Sequence, residues 1–184
     1  MLKFRKTPSL RSKTKRKQVC RPDYRKDVGS FIRAPMARST NPRKFLSKAE
    51  SAKVNAAIRR AENKTSAEIK LVIARHCWGN MKTKASRIFR ELGLDRTKER
   101  NCVLIVFVVT NREFLIYGDQ GIHEKVGQEF WDEARDKMAA AFREDRFGQG
   151  ISDGVSLIGE RLSRHFPYQR DDLDEISDDI IYRS

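Results

Sequence analysis

Apolar residues occur in two arrangements along the chain, and each arrangement predicts a different kind of element. Apolar runs of strand length occupy 69–74, where Lys70 is the one polar residue, and 103–109, which is uninterrupted. The second run does not alternate with polar residues, which is typical of a strand covered on both faces, so we expect helices on both sides of a sheet. Asn111-Arg112 then predicts a tight turn into a strand over 113–117, giving a hairpin.

Spaced apolar series predict four helices. The first follows a capping box, in which the side chains of Ser47 and Glu50 satisfy backbone N–H groups of the first turn. The other three are predicted at 84–92, 122–142 and 151–165. Glycines on the last helix predict that its backbone closely approaches a neighbouring helix.

In chain order these elements read α-β-α-β-β-α-α over residues 45–167. A helix joins the first two strands, which predicts that they are parallel, and the hairpin makes the third strand antiparallel to the second. The expected fold class is α/β, a three-layer αβα sandwich with a small mixed sheet.

Charge is distributed very unevenly. The chain of 184 residues has a net charge of +14. Residues 1–44 carry 15 Lys/Arg and 2 Asp/Glu, a net +13, whereas residues 45–184 carry 24 and 23, a net +1. Few apolar residues combined with high net charge predict a disordered N-terminal arm over 1–44. Residues 168–184 are predicted to form an acidic C-terminal tail.

The densest basic cluster of the arm predicts electrostatic binding to nucleic acid or to another anionic surface, without sequence recognition. A solvated tail is the simpler interpretation of the same residues. The cluster consists of Lys13, Lys15, Arg16 and Lys17.

Nothing in the sequence predicts export or membrane insertion. No apolar stretch approaches the roughly 18 residues of a membrane helix, and the basic N-terminus lacks the apolar middle of a secretory signal. Three scattered cysteines argue against a disulfide framework. The expected location is therefore the cytoplasm.

Standard catalytic and cofactor motifs are missing. No phosphate-binding loop and no G-x-G-x-x-G after a strand occur, so we expect no nucleotide cofactor. No arginine lies six residues after a cysteine, which excludes the cysteine-dependent phosphatases. The three histidines are far apart in sequence and are interpreted as structural. The sequence therefore assigns no catalytic residue.

Residues 118–127, G-D-Q-G-I-H-E-K-V-G, form the most suggestive segment. They follow a strand and open a helix, where free N–H groups favour ligands, and Asp119 could bind a hard cation there. The alternative is structural: Gly118 and Gly121 shape the turn, and Asp119 caps the helix.

Several stretches in this order and spacing resemble the TPM-domain family in its stand-alone bacterial form, over about residues 45–182. They are Leu46-Ser47 with Glu50, Ala61-Glu62, Thr65-Ser66-Ala67-Glu68-Ile69, Phe89 with Leu92-Gly93, Thr97 with Arg100-Asn101-Cys102-Val103-Leu104-Ile105, Gly118-Asp119-Gln120-Gly121-Ile122, Val126-Gly127, Phe130-Trp131, Phe147, Gly150-Ile151, Gly154, Ile158-Gly159 and His165-Phe166-Pro167.

The resemblance implies a compact αβα domain. It also implies the family's range of roles: weak acid phosphatase activity and photosystem repair in thylakoids, receptor accessories, and binding of calcium or another divalent cation. The metal ligands it suggests here are Asp119 and Glu68, followed by Asp95 and Glu99. Ala67 and Cys102 stand where the family prefers glycine, which argues against inherited catalysis.

Two functional hypotheses follow. The first is a non-catalytic binding or accessory domain for an unknown protein partner, with a divalent cation as a candidate ligand. The alternative is a weak metal-assisted acid phosphatase, in which carboxylates hold a cation that activates water. The absence of a nucleophile–base pair favours the first hypothesis.

Overall fold

The computed structural model describes residues 29–30, 38–168 and 179–184. Their strands are β1 (Gly29–Ser30), β2 (Ile69–Ala74), β3 (Val103–Val108), β4 (Glu113–Gly118) and β5 (Ile181–Arg183). Their helices are α1 (Lys48–Glu62), α2 (Met81–Glu91), α3 (Gln120–Arg143) and α4 (Phe147–Ser163). The predicted order α-β-α-β-β-α-α is confirmed. No helix of the described ranges is long and apolar enough to cross a membrane.

The strands form one mixed sheet in the order β1-β4-β3-β2-β5. β2 is parallel to β3, and β4 is antiparallel to β3, as predicted. The two outer strands were not predicted: β1 pairs antiparallel with β4, and β5 pairs parallel with β2. Segments of two and three residues are too short to show a hydrophobic period, so only their pairing reveals them as strands.

Helices cover both faces of the sheet, which confirms the three layers. All six residues of β2 and of β3 are buried. Ile69, Leu71 and Ile73 pack in the core beneath α1, α3 and α4. Val72 and Ala74 point the other way, toward α2. Successive side chains of a strand point to opposite faces, so two buried faces account for the apolar runs seen in the sequence, in which Lys70 is the one polar residue.

Glycines of α4 bring its backbone very close to its neighbours, as the sequence predicted. A Cβ added at Gly159 would lie 2.5 Å from the Cβ of Ala61 on α1. A Cβ added at Gly154 would lie 2.4 Å from Cγ of Met138 on α3. Both distances are shorter than van der Waals contact, so the packing of α4 requires residues without side chains.

Helix ends differ from the prediction where polar side chains cap the backbone. α2 begins at Met81 because Asn80 accepts hydrogen bonds from the backbone N–H groups of Lys82 and Thr83. α3 begins at Gln120 and is interrupted at Gly127, whose φ of 71° and ψ of 176° are not helical. The predicted single long helix is therefore two helical pieces that meet at a kink.

Arg38, which precedes the predicted start of the domain, connects three parts of the fold. Its guanidinium donates to both carboxylate oxygens of Glu50 at 2.9 and 3.0 Å. It also donates to Oδ1 of Asp145 at 3.1 Å, to the backbone oxygen of Asp145 at 2.8 Å and to that of Phe45 at 3.2 Å. The same group lies 5.0 Å from the ring centroid of Phe147. Arg38 thus joins the start of α1 to the α3–α4 turn.

Glu50 provides a test of this connection. Burial alone would raise the pKa of Glu50, but hydrogen bonds and charge from Arg38, together with hydrogen bonds from Ser47, lower it from 4.5 to about 2. A lowered folded-state pKa stabilises the protein above the unfolded-state pKa, and this contribution is lost as the pH falls toward about 2.

We therefore expect Glu50→Gln to lower the free energy of unfolding by about 1 kcal/mol at neutral pH. The difference from the wild type should disappear between about pH 4.5 and pH 2, because only the wild type loses the Glu50 charge there. Urea unfolding across this range measures it. Glu160→Gln, in an exposed ion pair with Arg164, is the control and should follow the wild type. If the free energy of unfolding of Glu50→Gln differed from that of the wild type by the same amount at all pH values, the lowered pKa of Glu50 would be contradicted.

Candidate functional site

Three segments meet at the end of the sheet where β2 and β3 begin and β4 ends. The backbone N–H of Val103 donates to the oxygen of Glu68 at 2.7 Å, and that of Asp119 donates to the oxygen of Cys102 at 2.9 Å. These bonds continue the strand register by one residue. Glu68, Cys102 and Asp119 therefore lie side by side in one row across the sheet.

The Asp119 carboxylate is buried, 4% exposed, and each of its oxygens accepts a hydrogen bond from Arg100. Nε of Arg100 donates to Oδ2 at 2.7 Å, and Nη2 donates to Oδ1 at 2.9 Å. Oδ1 also accepts from the backbone N–H of Gln120 at 2.7 Å, which makes Asp119 the N-cap of α3. The hydrogen bond to Asp119 raises the pKa of Arg100, although partial burial opposes the shift. The capping role considered for Asp119 is present, together with an ion pair that was not predicted.

The glycines of this segment allow close packing. A Cβ added at Gly121 would lie 2.7 Å from the backbone oxygens of both Glu99 and Arg100. A Cβ added at Gly118 would lie 2.6 Å from the ring of Trp131. Gly121 is inside α3 rather than in a loop, so its role is to let the start of α3 contact the 99–100 backbone.

Lys70 is a buried cation that sequence reasoning missed. Its side chain is 1% exposed and lies between two carboxylates, with Nζ 2.9 Å from Oε2 of Glu68 and 3.4 Å from Oε1 of Glu62. The same oxygen of Glu62 accepts from the backbone N–H of Ile69 at 2.8 Å. A buried charge needs a partner of opposite charge. Lys70, the one lysine within an otherwise apolar strand, was therefore the sequence signal that acidic side chains lie close to it.

Glu99 and Asp95 precede β3, and Asp95 lies in a short 3-10 helix, Leu94–Arg96. Oε2 of Glu99 accepts from the hydroxyl of Ser66 at 3.0 Å and from the amide of Asn101 at 3.3 Å. Asp95 acts electrostatically on Arg100. Its Oδ1 is buried and has no hydrogen-bond partner within the described part of the chain.

All four predicted metal ligands are thus at one end of the sheet, but they do not form one coordination set. Within the described ranges, no three His, Cys, Asp or Glu side chains are grouped closely enough to hold a metal ion. The backbones of Glu68 and Asp119 are about 10 Å apart, because β3 lies between them and adjacent strands are spaced by about 4.8 Å. Carboxylate oxygens suit a hard cation, but in this arrangement Arg100 contacts both oxygens of Asp119 and Lys70 contacts Glu68, so a cation would have to displace one of these side chains.

Cys102 lies between the two acids in the row. Its side chain is fully buried, and Sγ is 3.7 Å from the hydroxyl of Thr97. Burial raises the pKa of Cys102 to about 12, and the charges of Glu68 and Asp119 act in the same direction. The thiol is therefore protonated at neutral pH, which excludes it as a nucleophile.

Ala67, the other departure from the family's glycines, is buried in the core beneath α1, α3 and α4. Neither Ala67 nor Cys102 is among the described residues with positive φ. Both positions therefore accept a side chain without backbone strain. The arm residues Lys13, Lys15, Arg16 and Lys17 lie outside the described residues, and their predicted role stays a prediction.

Two comparisons with known proteins find the same type of domain in this chain. A family model described as the TPM domain matches residues 39–161. The NMR structure of the BA42 protein from Bizionia argentinensis is 35% identical, with a TM-score of 0.73 over 78% of this chain and 99% of that one. None of the curated proteins matches the chain.

Two more distant structures show the fold alone. One is the N-terminal domain of a protein from P. gingivalis, 20% identical, with a TM-score of 0.55 over 68% of this chain and 82% of that one. The other is the N-terminal domain of the cg2496 protein from Corynebacterium glutamicum, 12% identical, with a TM-score of 0.53 over 80% of this chain and 95% of that one.

The close contact at Gly121 predicts that Gly121→Ala lowers the free energy of unfolding by about 1–3 kcal/mol, because backbone oxygens cannot move aside as a flexible side chain would. Thermal or urea unfolding measures the loss. Gln120→Ala, at the exposed preceding position, is the control and should change it by less than about 0.5 kcal/mol. Equal stability of Gly121→Ala and the wild type would show that α3 does not dock here as described.

Proposed function

We propose, since this chain belongs to the TPM domain family, that it acts as a non-catalytic binding domain with its ligand site at the carboxylate-rich end of the sheet. This site comprises the row Glu68–Cys102–Asp119 with the 95–101 loop. An unknown protein partner is the ligand that the sequence favours, and a divalent cation is the second ligand of the same site.

The pairing of Asp119 with Arg100 carries the proposal. A general base needs an oxygen within reach of the proton that it removes, and both oxygens of Asp119 already accept hydrogen bonds from Arg100. Nζ of Lys70 lies 2.9 Å from one oxygen of Glu68, Oε2. The thiol between them is protonated, as its raised pKa requires. The arrangement supports charge complementarity with a ligand better than it supports catalysis.

Arg100 controls the access of a cation to this site. Its side chain is 50% exposed, whereas that of Asp119 is 5% exposed, so Arg100 can move into solvent while Asp119 stays at the helix end. A divalent cation would compete with the guanidinium for the same two oxygens. Arg100 and a cation therefore compete for Asp119, and only one of them binds it at a time.

We expect Arg100→Gln to tighten binding of Ca²⁺, Mg²⁺ or Mn²⁺ by about fivefold, because a half-exposed ion pair contributes up to about 1 kcal/mol. Calorimetric titration of the full chain measures it. Arg96→Gln is the matched control, since it removes one exposed positive charge from the same loop. Asp119→Asn should abolish the binding while keeping the helix cap, because Asn is also a favourable N-cap.

Equal affinities of Arg100→Gln and Arg96→Gln would contradict the competition and leave a general effect of charge. No saturable binding in any variant would remove the cation and leave a protein ligand for the site. Hydrolysis of p-nitrophenyl phosphate by the wild type, lost in Asp119→Asn, would replace the binding domain with the alternative, the weak metal-assisted acid phosphatase. Binding of nucleic acid through the arm is a separate prediction, tested by its weakening when Lys13, Lys15, Arg16 and Lys17 are replaced by Gln, which leaves Arg38 in place.

A further inference from the structure

A tryptophan projects from the opposite end of the sheet. Trp78 lies in the 75–80 loop between β2 and α2, and it is 91% exposed. Within the described residues, Tyr168 is the other large hydrophobic side chain that is exposed, at 53%. Tyr168 adjoins Pro167, which bridges to Thr65 before β2 begins, whereas Trp78 follows the end of β2. The two rings are therefore at opposite ends of this strand.

Hydrogen bonds from the β3–β4 turn fix the loop that carries Trp78. The side chain of Asn111 accepts from the backbone N–H of Cys77 and donates to its oxygen, both at 3.1 Å. The Thr110 hydroxyl lies 2.8 Å from Nδ1 of His76 and donates to the oxygen of Arg75 at 2.6 Å. The residues before Trp78 are held by the β3–β4 turn, and Asn80 after it caps α2, so the exposure of Trp78 belongs to a defined conformation.

The rings of His76 and Trp78 are stacked, with centroids 5.9 Å apart and an angle of 30° between their planes. Most of the indole surface remains open to solvent, as its exposure shows. Holding the indole in place before binding reduces the conformational entropy that a ligand must offset. This loop therefore presents a preformed aromatic surface.

The segment that forms this surface is rich in positive charge, although Glu91 pairs with Arg87 at 3.4 Å. Residues 75–90 contain no Asp or Glu. Their five cations are Arg75, Lys82, Lys84, Arg87 and Arg90. Nζ of Lys84 donates to the backbone oxygen of His76 at 2.5 Å, and both Lys84 and Arg87 act electrostatically on the buried thiol of Cys77. Lys84 and Arg87 therefore lie beside the loop of Trp78, together with the acid Glu113, which acts on the same thiol.

One aromatic ring among cations favours one class of partner. A protein hot spot needs a cluster of apolar side chains that exclude water. A bilayer needs more apolar insertion than one ring followed by Gly79 and Asn80 provides. A nucleobase stacks on a single ring, and the phosphates supply the remaining affinity through basic side chains.

We propose that the 75–90 surface, with Trp78 at its centre, binds single-stranded nucleic acid by stacking an unpaired base on the indole while its basic side chains contact the phosphates. This surface is separate from the Asp119 site and from the N-terminal arm.

The test uses the full chain and a fluorescein-labelled oligothymidylate, with binding followed by anisotropy. Trp78→Ala should weaken binding by about 5- to 150-fold, the usual loss when a base loses its aromatic partner. Trp78→Phe should recover most of it. Tyr168→Ala is the matched control and should bind as the wild type does. All four proteins carry the same arm, so a difference among them reports the Trp78 surface.

Two further readouts separate stacking from charge. Tryptophan emission should be quenched by the oligonucleotide in the wild type and much less in Trp78→Phe, because the remaining Trp131 is buried. Arg75→Gln combined with Arg87→Gln should reduce the slope of log affinity against log salt by about 0.7 per lost phosphate contact, whereas Trp78→Ala should leave that slope unchanged.

Unchanged affinity of Trp78→Ala would overturn the proposal. So would equal losses for Trp78→Ala and Tyr168→Ala, or equal effects of Trp78→Ala on duplex and single-stranded DNA, because a paired base cannot stack on the indole. Phosphatidylserine vesicles are the second ligand in the same assay. Loss of vesicle binding without loss of oligothymidylate binding would assign the surface to a membrane instead.

Discussion

The parallel pair of β2 and β3, buried on both faces, is the constraint on which the rest of the structure depends. All six residues of each strand are shielded from solvent, so apolar helices must cover both faces of the sheet. α2 covers one face in the connection between the two strands, and α1, α3 and α4 cover the other. The close packing of α4 through Gly154 and Gly159 is one result, because three helices must share a face only a few strands wide.

The two ends of the β2–β3 pair differ in the charged side chains that they carry. The end where β2 and β3 begin carries Glu62, Glu68 and Asp119, partly neutralised by Lys70 and Arg100. The opposite end carries an exposed indole among Arg and Lys side chains. One compact domain thus presents two surfaces of different chemistry, separated by the length of its strands.

Local patterns were sufficient to predict much of the fold. The runs of β2 and β3, the hairpin and the Ser47–Glu50 capping box depend on neighbours in sequence. β1, β5 and the role of Arg38 depend on contacts between distant residues, such as the 107 positions that separate Arg38 from Asp145. The hydrophobic periodicity of a short segment carries no information about such contacts.

The sequence predicted which acidic residues lie at the candidate site, but not the cationic side chains that pair with them. Asp119, Glu68, Asp95 and Glu99 do lie at one end of the sheet, because strand order places the starts of β2 and β3 beside the end of β4. The partners of these acids could not be predicted in the same way. Which cation meets which carboxylate depends on side-chain geometry, as the bidentate contact of Arg100 with Asp119 shows.

β5 has a consequence for how the protein behaves among its own copies. It pairs with Val72, Ile73 and Ala74, the second half of β2. Without it, the backbone N–H and C=O groups of an entirely apolar stretch would become an open edge, and such edges recruit strands from other molecules. The three residues of β5 therefore occupy the position beside β2 that a strand from another molecule would otherwise take.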